Sequence, residues 1–582
     1  MRLKKDNTIN IIIVLLIFSA VVLRIVAIPN SNPDMVVYNL PWYQELHERG
    51  IDKALGTNFS NYTPPYTYLL ALATFTYGLI SPLTAIKLIP ICFDLLGVIF
   101  VYKIVKLKYQ HGNLPPLAAA IYFAAPTVIL NSAYWGQADS IYTSALLVCL
   151  YFLMTEKPLF SMLALGAAFS VKAQAVFLLP FLGVMALRKR IHWLYLGVAP
   201  LIYLIAILPV VLLGRPFADA LLIYARQSDT FNLLSMNAPN IYNLFRREWY
   251  SIVLPFGFAI TVVATLVWMY TTWQATAELS GKYIILIAFI STALIPYLLP
   301  KMHDRYFYPA DVFSILLAFY WPSLWFMPIL YQLSSGGAIS VFLFNTNSLF
   351  PTYGFLLNTL AIAIALRTQR TIEHREVTNQ AISSVLPWLA AILVQIVLFG
   401  LSLNFLLTPS FIRIEYAMPY MSKTTSLTKS ERFQQALQTV VYLGSDQGTR
   451  FLKRLKFDNN IPVFNGHEIA LLDEAKKSIQ NAMAIWYISL AIGVSLSLLA
   501  WAENWLPRLC YGISRGGWLA MGLSIILGLT VIINPTSPIE SIQSIDTLLQ
   551  LFPAVFWRDS FLFLCLFTGG SGFLLTRIQN GV

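Results

Sequence analysis

The stretch INIIIVLLIFSAVVLRIVAI, residues 9 to 28, followed at once by PNSNPDMVVY, residues 29 to 38, decides how the chain is read. Twenty nearly uninterrupted apolar residues match the roughly 20 needed for a helix to cross a hydrocarbon core. Arg2, Lys4 and Lys5 precede them, which resembles a secretory leader, but no small-residue cleavage site follows, so the segment stays as an anchor. The positive-inside rule assigns the basic residues to the cytoplasm and the segment from about 30 to 82 to the exterior. Asp34, just past the first span, is then a water-exposed carboxylate on the outer face.

Composition extends this reading to the whole chain. Of 582 residues, 57% are hydrophobic and 11% charged, too little polar surface to cover a soluble protein of this length. Apolar runs recur almost end to end without the short alternation of a barrel, so the chain reads as an all-α polytopic membrane protein. Spans are expected near 84 to 106, 114 to 131, 141 to 155, 159 to 171, 174 to 187, 191 to 213, 251 to 271, 282 to 299, 308 to 321, 324 to 345 and 351 to 367. With the first, these make twelve. Tyr66 to Leu79 lies along or dips into the outer surface. This count keeps the basic clusters Lys103-Lys106-Lys108, Arg188-Lys189-Arg190, Arg367-Arg370-Arg375 and Arg508-Arg515 in the cytoplasm.

Thr368 to Ser383 carries charges of both signs and reads as a cytoplasmic break, giving a domain over 1–370, a linker over 371–383 and a module over 384–582. Four spans are expected in the module, near 384 to 406, 483 to 503, 516 to 534 and 559 to 577. A long exterior loop, about 407 to 482, has a helical pattern over Lys429 to Val441. The net charge of +12 is accounted for by cytoplasmic loops beside anionic lipid and implies no nucleic-acid partner. Cys92, Cys149, Cys510 and Cys565 fall in or beside spans and read as apolar fillers. No Walker loop or dinucleotide fingerprint is present.

Polar clusters gather at the outer ends of the first twelve helices. They are Asp34 to Asp52, Asn61-Tyr62-Thr63-Pro64-Pro65-Tyr66, Tyr134-Trp135-Gly136-Gln137-Ala138-Asp139, Lys172, Arg226 with Asn237 and Asn240, and Lys301-Met302-His303-Asp304-Arg305-Tyr306. In kind and order they resemble lipid-phosphosugar-dependent glycosyltransferases with the multi-helix GT-C fold. The resemblance covers roughly residues 1 to 370. The chain is similar to dolichol-pathway glucosyltransferases and, more closely, to bacterial relatives of the second mannosyltransferase of GPI-anchor synthesis. It rests on Asp34 in Pro33-Asp34-Met35-Val36-Val37-Tyr38, the turn Tyr62-Thr63-Pro64-Pro65, the loop Asn131 to Ser140, Lys172-Ala173-Gln174 and His303-Asp304-Arg305. Where the eukaryotic enzymes have histidines in the second loop, this chain has Tyr134-Trp135-Gly136. The module resembles bacterial four-helix membrane proteins of unknown function, through Phe464-Asn465-Gly466-His467-Glu468 with Leu472-Asp473, and Leu551-Phe552-Pro553 with Phe556-Trp557-Arg558-Asp559.

The resemblance implies an inverting transfer of a hexose, mannose first, from a polyprenyl-phosphate sugar to a lipid, glycan or protein acceptor outside the plasma (inner) membrane. A phosphate leaving group departs without prior protonation, so the site needs a base for the acceptor and cations for the phosphate, not the paired carboxylates of glycoside hydrolysis. Asp34 is the expected base. Arg305, with Lys172 or His303 assisting, is expected at the donor phosphate, and Asp139, Gln137 and Tyr62 form a second polar cluster on the acceptor side. Asp139 either positions the acceptor, ligates a divalent metal beside Asp34, or bonds the turn at Gly136. His303 alternatively bonds a carbonyl, Lys172 snorkels to the surface, and Arg226 is solvated. A transporter or flippase, and a non-catalytic scaffold, stay open: the first needs a polar path at mid-membrane, and the second does not need Asp34, Lys172 and Arg305 to converge.

Overall fold

The computed structural model describes residues 2–228, 232–245, 249–347, 349–373, 380–418, 428–445, 447–457, 460–502, 505–533 and 546–578. The chain divides into two compact units, Met1–Arg375 and Glu376–Val582.

The first unit is built from α1 (Arg2–Ala27), α2 (Pro82–Lys108), α3 (Leu114–Ala124), α4 (Asp139–Met154), α5 (Pro158–Val171), α6 (Val198–Leu212), α7 (Tyr250–Gln274), α8 (Gly281–Leu298), α9 (Tyr308–Tyr320), α10 (Met327–Phe344) and α11 (Phe350–Glu373). Every residue of α8 from Tyr283 to Tyr297 is buried, as are nearly all of α9. A helix apolar on all sides belongs inside a bundle, and these two form its centre. By contrast α1 exposes Ile11, Val14, Phe18, Ile25 and Val26, which suits contact with lipid.

The protein is an all-α, multi-span membrane protein. Among the described residues nine helices are long and apolar enough to cross a membrane, or ten if the bent pair Leu114–Ala124 and Pro126–Trp135 is one span. This is fewer than the sixteen expected. Asp139–Met154, Pro158–Val171, Ala173–Leu187 and Tyr308–Tyr320 are shorter apolar helices; at about 1.5 Å per residue they fall short of a core about 30 Å thick. The segment after the first span forms a helix over Pro64–Thr74.

Thr368, read above as the start of a break, continues α11. Gln369 and Glu373 are buried; Gln369 Oε1 accepts from Trp268 Nε1 at 3.0 Å, and Glu373 Oε1 accepts from Tyr283 OH at 2.5 Å. The remainder of the expected linker over 374–379, including Arg375, lies outside the described residues.

The second unit contains α12 (Gln380–Leu406), α13 (Lys429–Gly444), α14 (Gly466–Ala502), α15 (Leu506–Ile533) and α16 (Ala554–Leu575). A capping box starts α13: Thr428 Oγ1 accepts from Glu431 N and Glu431 Oε2 from Thr428 N. The same device starts α14, where Asn465 and Glu468 exchange bonds at 2.8 and 2.9 Å. The span expected from 483 therefore continues a helix that begins at Gly466, inside the segment read as loop. Phe411, Tyr416, Val440, Tyr442, Phe464, Leu551 and Phe556 share a separate apolar core in this unit.

Candidate functional site

Two short π-helical turns carry the centre of the polar cluster, Met35–Asn39 and Leu130–Trp135. Such widened turns re-aim side chains and recur at functional sites. Asn32 ties them together. Its Oδ1 accepts from Met35 N at 3.1 Å, capping the first turn, while its Nδ2 donates to the carbonyls of Trp135 and Tyr134 at 3.0 and 3.2 Å. The second turn closes on Gly136, whose φ of 79° lies in the left-handed region; a Cβ there would stand 2.6 Å from Met35 Cε and 3.3 Å from Lys87 Cγ.

The paired turns place Asp34 against its donors. Asp34 Oδ2 accepts from Trp135 Nε1 at 2.9 Å and from Gln137 Nε2 at 2.8 Å. Gln137 Oε1 in turn accepts from Tyr62 OH at 3.1 Å. The Asp34 side chain keeps 20% of its surface exposed, so the carboxylate is half-buried instead of fully in water.

Asp139, completely buried, opens α4. Its Oδ1 lies 2.5 Å from Lys172 Nζ and its Oδ2 accepts from Asn131 Nδ2 at 2.9 Å. Lys172 sits in the break after α5, in extended conformation, and is held by this carboxylate. Its ammonium is buried beside this anion instead of snorkelling to the surface. Asp139, correspondingly, bonds Asn131 and Lys172.

A two-stranded parallel ladder, β1 (Ser235–Met236) and β2 (Met302–His303), brings in the third segment. Lys301 N donates to Leu234 O and Asp304 N to Met236 O. The ladder delivers Arg305 among three carboxylates: Nε is 3.6 Å from Asp139 Oδ2, and NH1 is 3.9 Å from Asp34 Oδ2 and 3.8 Å from Asp304 Oδ1. All are ion-pair distances beyond hydrogen-bond length, and Nε has no hydrogen-bond partner. The guanidinium also faces the Trp135 ring at 4.9 Å.

Charge states follow from burial. Burial opposes the positive charge of Arg305, but Tyr62, Asp139, Tyr306 and Asp304 outweigh it and hold the guanidinium firmly protonated. Burial pushes Asp304 up to about 7, with Arg305 opposing. Burial, then Arg305 and Lys172, drive His303 well below its ordinary range. A neutral imidazole is a weaker partner for an anion than a guanidinium. Burial keeps the Tyr62 phenol protonated.

Asp34, Tyr62, Gln137, Asp139, Lys172 and Arg305 thus meet in one cluster. Arg226 is not in it and pairs with Asp219. Among the described residues no group of three or more His, Cys, Asp or Glu side chains is placed to hold a metal ion. Asp139 is already occupied by Lys172 and Asn131, so it does not complete a ligand pair with Asp34.

Sequence reasoning missed Lys87. It is completely buried on α2, and its Nζ collects the carbonyls of Ala27, Ile28 and Asn30 at 3.3, 3.0 and 2.5 Å. It caps α1, anchors the turn leading to Asp34, and packs its stem beneath Gly136. Arg24 and Asp94 were missed as well. Arg24 NH2 and Asp94 Oδ2 pair at 2.8 Å, with Ser132 Oγ donating to the same oxygen at 2.6 Å. Charges inside expected spans were the available signal. No family model matches the chain, and no curated protein matches it.

Proposed function

We propose that the unit Met1–Arg375 is a lipid-phosphosugar-dependent glycosyltransferase of GT-C type, inverting, moving a hexose, mannose first, from a polyprenyl-phosphate sugar to a lipid, glycan or protein acceptor at the exterior membrane face. The observation that carries this reading is Arg305: a largely buried guanidinium within 4 Å of three carboxylates whose Nε makes no hydrogen bond, beside a half-buried carboxylate fixed by two donors. An anion is the ligand such a cation accepts in bidentate fashion. Asp34 takes the proton of the acceptor hydroxyl at Oδ1, since Trp135 and Gln137 both bond Oδ2. The acceptor oxygen attacks the anomeric carbon from the face opposite the phosphate, the carbon–oxygen bond to phosphate breaks, and the phosphate leaves as an anion toward Arg305. Lys172 holds Asp139, whose Oδ2 faces Arg305 Nε at 3.6 Å.

The test is a membrane assay offering radiolabelled polyprenyl-phosphate mannose, glucose and galactose, with Asp34→Asn as the control, followed by analysis of the labelled lipid, glycan or protein. Label incorporated equally by wild type and Asp34→Asn would remove the basis for this reading. The second reading, lipid or polysaccharide transport, is favoured by the ionisable groups that Arg24, Lys87, Asp94 and Asp311 carry into the helices, all of them buried. Fluorescent-lipid scrambling in reconstituted vesicles, unaffected by Asp34→Asn but lost in Asp311→Asn, would support it.

A further inference from the structure

Arg215 leaves α6 through a tight turn in which Gly214 has φ of 109° and Arg215 N donates to Val210 O at 3.0 Å. Its side chain is buried, 4% exposed, and its Nε has no hydrogen-bond partner. An N–H stripped of water and given no acceptor is costly to bury. The charges that face it are Asp219 and Arg226, with the phenols of Tyr68 and Tyr203. The Asp219 carboxylate already receives Arg226 NH2 and Asn58 Nδ2. Tyr203 and Tyr68 spend their hydroxyl protons on the carbonyls of Ala220, Leu221 and Ala206. Among the described residues, two arginines against one aspartate leave a local excess of one positive charge.

The surroundings indicate where the missing acceptor comes from. Leu212, Leu213, Phe217 and Leu222 flank the arginine and are 77%, 45%, 53% and 50% exposed, an apolar fringe suited to the boundary of a bilayer. The same segment is stitched to the loop before the Pro64–Thr74 helix, where Gln227 Nε2 donates to Asn61 O and Asn58 meets Asp219. That loop also carries Tyr62, whose hydroxyl reaches Gln137 in the cluster around Asp34. Arg215 therefore stands at the end of the bundle that carries Asp34, at its flank.

We propose that Arg215, assisted by Arg226, binds the phosphate of a membrane-lipid headgroup at the bilayer boundary, with the exposed leucines and Phe217 against its acyl chains. A monoanionic phosphodiester matches the single excess positive charge, and a guanidinium fork matches its oxygens. The site does not depend on transferase activity and tests separately from it.

The full chain, purified in detergent, is titrated with phosphatidylglycerol, with diacylglycerol, and with inorganic phosphate, reading thermal shift and lipid retained in native mass spectrometry. Phosphatidylglycerol is expected to raise the melting temperature and to stay bound, with diacylglycerol and inorganic phosphate without effect. Arg215→Gln is expected to lower retention by about tenfold, and Arg215→Lys by less, as a point charge replaces a fork. If Arg215→Gln does not fold, Arg226→Gln on the exposed partner is read instead and is expected to lower retention severalfold. Retention unchanged in the readable variant overturns the proposal. So does equal stabilisation by diacylglycerol, which would assign the effect to the apolar fringe alone, or by inorganic phosphate, which would make the ligand a free anion.

Discussion

Trp135 donates its indole N–H to Asp34 across 101 residues of chain, at 2.9 Å, and this bond sets which carboxylate oxygen faces outward. Asp34→Asn keeps an oxygen for both donors while removing basicity. Insertion and melting temperature are expected to stay near wild type, with transfer lost by about two orders of magnitude or more. Undiminished transfer would end the candidacy of Asp34 as base.

Arg305 and Lys172 are expected to separate experimentally, although both were expected at the donor phosphate. Arg305→Gln is expected to raise the apparent KM for the polyprenyl-phosphate sugar at least tenfold, about 1.4 kcal/mol, with little loss of folded protein. Lys172→Met leaves Asp139 buried without its closest cation, a change that typically costs about 3–5 kcal/mol. Its main readout is therefore a lower yield and melting temperature. A Lys172→Met protein of normal stability with weakened donor use would return Lys172 to the phosphate.

The alkaline limb of activity is expected to report Asp304. Its folded pKa, near 7, lies above the ordinary carboxylate value, so the stability it contributes is full below about pH 4 and is lost as pH rises toward 7. Above 7 the new charge faces Arg305 at 3.8 Å and competes with the donor phosphate. Donor KM is expected to climb from pH 7 upward in wild type and to stay flat in Asp304→Asn. Identical pH profiles would remove Asp304 from the donor side.

Much of this cluster was legible because charged and amide groups are rare in so apolar a chain, and Asp34, Asp139, Lys172 and Arg305 stood out at span ends. Their pairing was not legible. Whether Lys172 meets Asp139 or a ligand depends on how helices pack, which residue order does not encode. Lys87, Arg24 and Asp94 went unread because they lie inside runs counted as spans, where overall hydropathy outvotes one charge. The expected spans outnumber the helices long enough to cross among the described residues for a related reason: Tyr308–Tyr320 is apolar and buried in protein, and composition alone does not separate that from burial in lipid. Gln369 and Glu373 looked like linker because polar composition hides the hydrogen bonds they make to Trp268 and Tyr283.

Gly136→Ala is expected to disturb Asp34 without touching a charged group. The left-handed backbone costs an alanine about 1–2 kcal/mol, and its Cβ presses on Met35 of the first π-helical turn and on the Lys87 stem. Transfer is expected to fall more than donor affinity, because Arg305, the proposed donor contact, comes from the β2 side. Equal loss of both would indicate general unfolding, checked by the melting temperature.

The division of the chain offers the last expectation. The first compact unit ends at Arg375, and α11 stays bonded to its neighbours up to Glu373. A chain ending at Arg375 retains every residue of the cluster and both buried partners at the end of α11. It is expected to insert, melt cooperatively and keep transfer, with the second unit modulating acceptor choice or assembly. A chain ending at Arg367 loses Gln369 and Glu373, leaves Trp268 and Tyr283 with orphaned donors, and is expected to melt lower, each lost buried bond costing about 1–3 kcal/mol. Equal stability of the two truncations would show that the end of α11 contributes nothing to the first unit. A well-inserted, stable chain ending at Arg375 without transfer, when the full chain is active, would assign part of the site to the second unit.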